Sequence, residues 1–306
     1  MSKLAAVFPG QGSQYVGMGK DLHERSSAAR ELFSRADDIL GFPLSKVCFE
    51  GPEDELRQTR NTQPAIFLHS IAAWTVLPAK DVAMVAGHSL GEYSALVAAG
   101  ALEFEDALRL VRVRGELMQK AGEENPGTMA ALIGLDPATV GEVCCTAWKD
   151  GIVQAANFNS PGQIVISGSV TGVRKAMELA KARGAKIVKE LVVSGAFHSP
   201  LMQSARDGLK TALAKTDIRD ARIPVYANVT AQPVSKGDEI RIALEEQLTS
   251  PVRWWESVEN MIADGATTFL EVGPGKVLQG ITKRISGTVS TAGLDRFEDV
   301  EKLVLA

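Results

Sequence analysis

Val85-Ala86-Gly87-His88-Ser89-Leu90-Gly91-Glu92-Tyr93-Ser94-Ala95-Leu96 reads as the end of an apolar strand, a Gly-x-Ser-x-Gly turn and the first turns of a helix. A serine on so sharp a strand-to-helix turn has its hydroxyl lifted off the sheet and set above the helix N-terminus. Gly87 and Gly91 remove the side chains that would collide where strand and helix cross. The backbone N–H of Leu90 then faces the oxyanion that forms when Ser89 attacks a carbonyl. The plain alternative is a glycine-rich turn with a capping serine. The apolar run from Val82 to Ala86 on one side and the helical pattern on the other favour the nucleophile.

Outward from this turn, short apolar runs alternate with helical patterns. Leu4 to Phe8, Val82 to Ala86, Pro224 to Val229, Thr268 to Val272 and Val289 to Leu294 read as strands of a largely parallel sheet. Helical periodicity marks Pro64 to Leu77, Leu201 to Leu213, Ile240 to Leu248 and Val252 to Ala263. The class is α/β, with ligands expected beyond the carboxyl ends of the strands. One interval departs from the alternation. Met129 to Ile133, Ile152 to Asn157, Gln163 to Ser167 and Ala185 to Glu190 read as strands, with helices at Pro137 to Trp148 and Val170 to Ala182. The turn Asn159-Ser160-Pro161-Gly162 joins the central two as a hairpin. This βαββαβ order is the ferredoxin-like motif. The expected division is a large domain from residues 1–124 and 196–306, and an inserted small domain from 125–195, with a cleft between them.

From Glu105 to Ala121 the chain reads as one helix, ended near Gly122. Its apolar stripe is Ala107, Leu110, Val111, Leu117, Met118 and Ala121, and Arg114 falls in the middle of it. A guanidinium keeps its charge, so burying it without an anion costs several kcal/mol. The anion is either a protein acid such as Glu92 or a carboxylate of the substrate held by a bidentate fork.

Composition sets the frame. The chain has 306 residues, 45% hydrophobic and 23% charged, which suits one large soluble domain or two. A net charge of −4 argues against a general nucleic-acid surface, and no apolar run is long enough for a membrane span. The start, from Met1 to Phe8, reads as a first strand rather than a signal peptide. The 3 cysteines, Cys48, Cys144 and Cys145, lack metal-ligand spacing, so a reduced cytoplasmic setting without disulfide or zinc is expected, and the adjacent pair reads as packing residues.

A serine nucleophile needs a base, and there are 4 histidines. His23 lies in an exposed-looking helix start and His69 in an apolar helix. His88 is next to Ser89 and so points to the other side of the turn, close to the site. His198, in Val193-Ser194-Gly195-Ala196-Phe197-His198-Ser199-Pro200, lies in a turn at the junction of the two expected domains and is the best candidate. Phe8-Pro9-Gly10-Gln11-Gly12-Ser13-Gln14 is neither a P-loop nor a dinucleotide fingerprint, since no Gly-Lys-Ser/Thr follows and Tyr15 takes the third glycine position. Gly273-Pro274-Gly275-Lys276 misses the P-loop pattern too. Gly10-Gln11-Gly12 is instead able to present an N–H beside Ser89 and complete an oxyanion hole.

With these segments in hand, the chain resembles the malonyl-CoA:acyl carrier protein transacylases from Phe8 to about Leu294. The resemblance rests on Pro9-Gly10-Gln11-Gly12-Ser13-Gln14, Thr62-Gln63-Pro64-Ala65, Gly87-His88-Ser89-Leu90-Gly91-Glu92, Arg114-Gly115, Asn157-Phe158-Asn159-Ser160-Pro161-Gly162-Gln163, Phe197-His198-Ser199 and Glu271-Val272-Gly273-Pro274-Gly275. It implies an α/β-hydrolase-like large domain with a ferredoxin-like insertion. It implies Ser89 as the acylated nucleophile, His198 as its base, the backbone amides of Gln11 and Leu90 as the oxyanion hole, and Arg114 as the grip on the malonyl carboxylate. The histidine is oriented in the family by a main-chain carbonyl, here that of Gln247. Gln63, His88, Asn159 and Phe197 line the implied pocket, Phe197 as the bulky ring of malonyl-selective members.

The implied partners are malonyl-CoA and a phosphopantetheinylated acyl carrier protein, with no metal, no cofactor beyond the thioester substrate, no nucleic acid and no membrane; the sequence does not fix the oligomeric state, and a monomer is the expectation. Polyketide-type malonyl domains usually carry His-Ala-Phe-His where this chain has Gly195-Ala196-Phe197-His198, which points to fatty-acid synthesis. An acyl-thioester hydrolase would share Ser89 and His198 but call for an acidic third residue. A degenerate acyl-binding subunit would lack Ser89, His198 or Arg114, and all are present.

Overall fold

The computed structural model describes residues 3–77 and 81–304; Met1 and Ser2, included in the expected opening strand, lie outside them. Ten strands are present among the described residues: β1 Lys3–Phe8, β2 Met84–Gly87, β3 Gly127–Ile133, β4 Val153–Ser160, β5 Gln163–Ser169, β6 Ile187–Glu190, β7 Val225–Tyr226, β8 Pro233–Val234, β9 Ala266–Val272 and β10 Ser290–Leu294. One sheet runs β10-β9-β1-β2-β7-β8, with every neighbouring pair parallel except the β7–β8 edge. The other is antiparallel throughout, in the order β4-β5-β3-β6.

The parallel sheet is buried on both faces, which is why its central strands read as unbroken apolar runs. Side chains alternate across it with period two. Ala6, Phe8 and Val85 enter the larger core with the helices Thr59–Val76 and Phe104–Glu124. Ala5, Val7, Met84 and Ala86 enter the smaller core with Trp254, Val258 and Met261 of the helix Trp254–Ala263. The antiparallel sheet divides its residues the same way. Ala130, Leu132, Ile164 and Ile166 pack under the helices Pro137–Ala147 and Val170–Ala182, whereas Met129 and Val165 turn toward the larger core.

The α/β class and the two kinds of sheet match the sequence reading, and several boundaries move for physical reasons. The helix expected from Pro64 begins at Thr59 and carries Pro64 inside it. The proline lacks the N–H that would reach the Arg60 carbonyl, and Arg112 Nη1 donates to that carbonyl at 3.0 Å instead. The helix expected to stop near Gly122 continues to Glu124. Gly122 is there because the chain leading to His198 crosses it: a Cβ at this position would lie 2.2 Å from the Ser194 carbonyl oxygen. Val252, expected to open a helix, bridges Asn157 in β4, donating its N–H to Ala156 O at 2.8 Å and accepting from Phe158 N at 2.9 Å. Asn159, expected in the hairpin turn, lies within β4, where the register with β5 slips, so the loop is only Pro161 and Gly162. Of the adjacent cysteines Cys144 packs as expected, whereas Cys145 is exposed.

Two glycine substitutions test this reading. Gly122→Ala forces the 194–195 segment away and is expected to destabilise the fold by about 1–3 kcal/mol. Gly141 lies in the helix Pro137–Ala147, and a Cβ added there would meet no atom within 4 Å. Gly141→Ala is expected to stabilise by roughly 0.5–1 kcal/mol. Denaturant unfolding of both variants decides it: equal midpoints would contradict the crossing at Gly122.

Candidate active site

Ser89 follows β2 with φ of 51°, a left-handed backbone that holds its hydroxyl out over the sheet. The turn is possible only with glycine before it, since a Cβ on Gly87 would sit 1.8 Å from the carbonyl carbon of Gly91. Asn228, in the segment after β7, fixes the elbow from the neighbouring strand end. Its Oδ1 accepts the Ser89 N–H at 2.7 Å and its Nδ2 donates to Gly87 O at 2.7 Å.

His198 arrives from the segment after β6, also with a positive φ of 58°, and its Nε2 lies 2.9 Å from Ser89 Oγ. Its Nδ1 lies 2.8 Å from the main-chain carbonyl of Gln247. A carbonyl only accepts, so Nδ1 carries the proton and Nε2 turns its lone pair to the serine. That carbonyl is free because the helix Gly237–Gln247 ends there, where the helix dipole presents its negative pole. From the antiparallel sheet, Gln154 Nε2 donates to the backbone carbonyls of His198 at 2.9 Å and Thr249 at 3.2 Å.

Arg114 is buried, 1% exposed, on the apolar face of its helix. It donates to Gln63 Oε1 at 2.7 Å, Gln247 Oε1 at 2.8 Å and Ser89 Oγ at 3.0 Å. Every one of these partners is neutral. Among the described residues it makes no ion pair: the Gln247 amide stands between it and Glu92, accepting from Arg114 and donating from Nε2 to Glu92 Oε2 at 3.0 Å. Glu92 also accepts the Asn228 N–H at 2.9 Å. Burial raises the Glu92 carboxyl to about 7, against the pull of Asn228, Gln247 and Arg114. Burial likewise lowers Arg114. His198 is pushed down to about 3, by burial first and then by the Arg114 charge.

These groups open on a cavity of about 250 Å³. Gln11 and Leu90 line it, and among the described residues neither backbone N–H has a hydrogen-bond partner. Phe197, Met118 and Val165 supply apolar wall. His88 lies on this wall rather than away from it, its Nε2 2.9 Å from Asn159 Oδ1 and its ring against Trp254; burial lowers its pKa. All ten residues singled out in the sequence therefore meet here. The remaining histidines do not: His69 is buried against Asp295, and His23 packs edge-on against Phe33 and at a tilt against Phe49. Sequence reading missed Asn228, Gln154 and the side chain of Gln247. Asn228 was within reach, since it follows the strand that pairs with β2 on its carboxyl side. Among the described residues no group of three or more His, Cys, Asp or Glu side chains is placed to hold a metal ion, and no helix is long and apolar enough to cross a membrane.

The acyl transferase domain family matches residues 6–294. The chain is 49% identical to the malonyl CoA-acyl carrier protein transacylase of Bacillus subtilis (strain 168) over 304 residues, 98% of this chain and 96% of the relative. The chain belongs to the malonyl CoA-acyl carrier protein transacylase family. Among solved structures of the family, an acyl carrier protein S-malonyltransferase from Vibrio cholerae superposes with a TM-score of 0.96 at 43% identity, over 99% of this chain and 100% of that one. A malonyl-transacylase solved with its type II PKS acyl-carrier protein gives a TM-score of 0.95 at 43% identity, over 98% of each chain.

The depressed His198 makes a pH prediction. A histidine acts as a base only when unprotonated, so a lowered pKa would extend any base role of His198 to more acidic solution. Modification of Ser89 by a sulfonyl fluoride is expected to stay level from about pH 8 down to about pH 5, rather than falling near the ordinary imidazole value of about 6.5. Arg114→Ala removes a cation that disfavours the imidazolium, so its acid limb is expected at higher pH. An acid limb near 6.5 in both proteins would contradict this.

Proposed function

We propose that the chain transfers a malonyl group from coenzyme A to the phosphopantetheine thiol of an acyl carrier protein, through a malonyl-Ser89 intermediate, in fatty-acid synthesis. The observation that carries this reading is Arg114: a buried guanidinium, 3.0 Å from Ser89 Oγ, with no carboxylate partner among the described residues. Such a charge suits a substrate that brings its own carboxylate to the serine, and malonyl does. The relatives' names and the carrier-bound structure support the donor and the acceptor. That structure holds a polyketide carrier; Gly195-Ala196-Phe197-His198 supports the fatty-acid assignment.

His198 Nε2 takes the Ser89 proton as Oγ attacks the thioester carbonyl. The N–H groups of Gln11 and Leu90 stabilise the tetrahedral oxyanion. The imidazolium, steadied by the Gln247 carbonyl, protonates the departing coenzyme A thiolate. The carrier thiol then gives its proton to His198, attacks the malonyl ester, and the sequence reverses. Phe197 narrows the pocket against an α-methyl group, and no cofactor beyond the thioester is called for. We read the architecture as an α/β-hydrolase-like domain of residues 1–124 and 196–306 with a ferredoxin-like domain of 125–195. The βαββαβ order and the β4-β5-β3-β6 pairing support the second part. A cytoplasmic location fits the 3 free cysteines.

Intact-mass measurement tests the reaction. Malonyl-CoA is expected to add one malonyl group, lost on adding holo carrier protein and absent in Ser89→Ala. An adduct that persists in Ser89→Ala would exclude the serine, and free malonate released as fast without carrier as malonyl-carrier forms with it would mean a hydrolase. Arg114→Ala separates the substrates. Losing one member of a buried charge pair costs roughly 3–5 kcal/mol, or about two to three and a half decades in kcat/KM for malonyl-CoA. Acetyl-CoA, without a carboxylate, is expected to be used unchanged or better. Equal losses for both thioesters would refute the carboxylate assignment.

A further inference from the structure

Glu92 lies beneath the elbow, 2% exposed, and touches neither the cavity nor Arg114 directly. One of its oxygens, Oε2, accepts two hydrogen bonds: from the Gln247 side-chain Nε2 at 3.0 Å and from the Asn228 backbone N–H at 2.9 Å. Each bond leads to a working part of the site. A primary amide has nearly the same shape either way round, and Arg114 can only donate, so Gln247 must offer it Oε1 rather than Nε2. Acceptors on the far side enforce that orientation: Glu92 Oε2 at 3.0 Å, with the Ser89 carbonyl at 3.1 Å and Asn228 Oδ1 at 3.4 Å beside it, Glu92 alone being a side-chain carboxyl. Asn228 in turn receives the Ser89 N–H on Oδ1 and holds Gly87 O through Nδ2, on either side of the strained serine.

We propose that Glu92 is a positioning residue for acyl transfer, its Oε2 acting as the shared acceptor that orients the Gln247 amide toward Arg114 and pins Asn228 behind Ser89. The role is that of an acceptor, not of a countercharge. Both bonds end on the same oxygen, so the group keeps them with a proton on the other. The inference rests on the malonyl-transfer reading above, and goes beyond it by assigning how the guanidinium and the serine are held.

The test is single-turnover acylation of the full-length protein by malonyl-CoA and by acetyl-CoA, followed by mass. Glu92→Met fills the space without an acceptor and is expected to slow malonyl acylation by at least about tenfold. Only malonyl uses Arg114, so the malonyl-to-acetyl rate ratio is expected to fall as well, which a general loosening of the fold would not produce. Glu92→Gln can place its amide oxygen where Oε2 lies, and is expected to recover the malonyl rate to within about threefold. An unchanged rate or ratio in Glu92→Met overturns the proposal, and so does a Glu92→Gln as slow as Glu92→Met, which would give the role to the charge. Should Glu92→Met fail to fold, Gln247→Met removes the amide while keeping the carbonyl for His198. It is expected to lower the same ratio, and a wild-type ratio there overturns the proposal. Absence of any malonyl adduct on the wild-type protein would overturn the functional reading itself; an adduct with an indifferent Glu92→Met overturns this inference alone.

Discussion

Arg114 carries a charge it cannot lose into a place that water does not reach, and the surrounding residues are arranged around that fact. Desolvating a guanidinium costs several kcal/mol even after relaxation. The usual remedy, a carboxylate in contact, would neutralise the charge and leave nothing for an anionic substrate. Here the remedy is partial. Gln63, Gln247 and the Ser89 hydroxyl satisfy donors with neutral oxygens, the face of Tyr93 lies 5.6 Å from the guanidinium carbon, and the Glu92 carboxyl stays one amide away. The charge is solvated by dipoles yet keeps its affinity for an anion. A substrate carboxylate would complete the shell, which ties the proposed specificity to the desolvation of the guanidinium.

The second constraint is steric. β2 and the helix Gly91–Ala98 meet so closely that Gly87 admits no side chain, Gly91 admits none because the Phe8 carbonyl at the end of β1 lies against it, and the backbone between them takes φ of 51° at Ser89. Strain of that kind persists only where neighbours over-determine it. Asn228 supplies two of those restraints from the adjacent strand, and the Gln247 amide adds a third, donating to Ser89 O at 3.1 Å. The proposed base is held in the same manner. His198 also has a positive φ, its carbonyl is gripped by Gln154 from the antiparallel sheet, and its ring by a helix terminus of the parallel-sheet part. The proposed nucleophile and the proposed base thus share a support, Gln247, whose side-chain amide reaches Ser89 O and whose carbonyl faces His198 Nδ1.

Much of this was legible in the residues because local rules wrote it. The elbow follows from glycines at fixed offsets beside a strand, and Arg114 stands out because a charge interrupts a helical apolar stripe. What was misread turns on partners distant in sequence. Gly122 looks like a helix stop until the Ser194 carbonyl is seen against it. Pro64 looks like a helix start until Arg112 is seen satisfying the carbonyl it strands. Asn159 sits in a Pro-Gly turn motif, yet the slip in β4 register carries it to His88. The Gln247 amide is invisible for the same reason, since it lies far along the chain from the Ser89 it touches, whereas Asn228 was within reach through the strand that pairs with β2.

Among the described residues His198 meets a carbonyl rather than a carboxylate, which has a consequence for the proposed chemistry. In a serine triad an aspartate steadies the imidazolium. Here the steadying groups are a carbonyl and a helix terminus, while burial and Arg114 act against the charge and hold the ring near 3. A proton taken from Ser89 is therefore held weakly and passed on readily to a departing thiolate. The same weakness applies when the carrier thiol attacks, so neither half of the exchange is favoured by the base. A malonyl carboxylate at Arg114, as proposed, would offset the opposing charge and make the imidazolium easier to form. On the proposed mechanism the guanidinium would thus bear on the base as well as on the acyl group, while burial, the larger cause of the depressed His198, would remain.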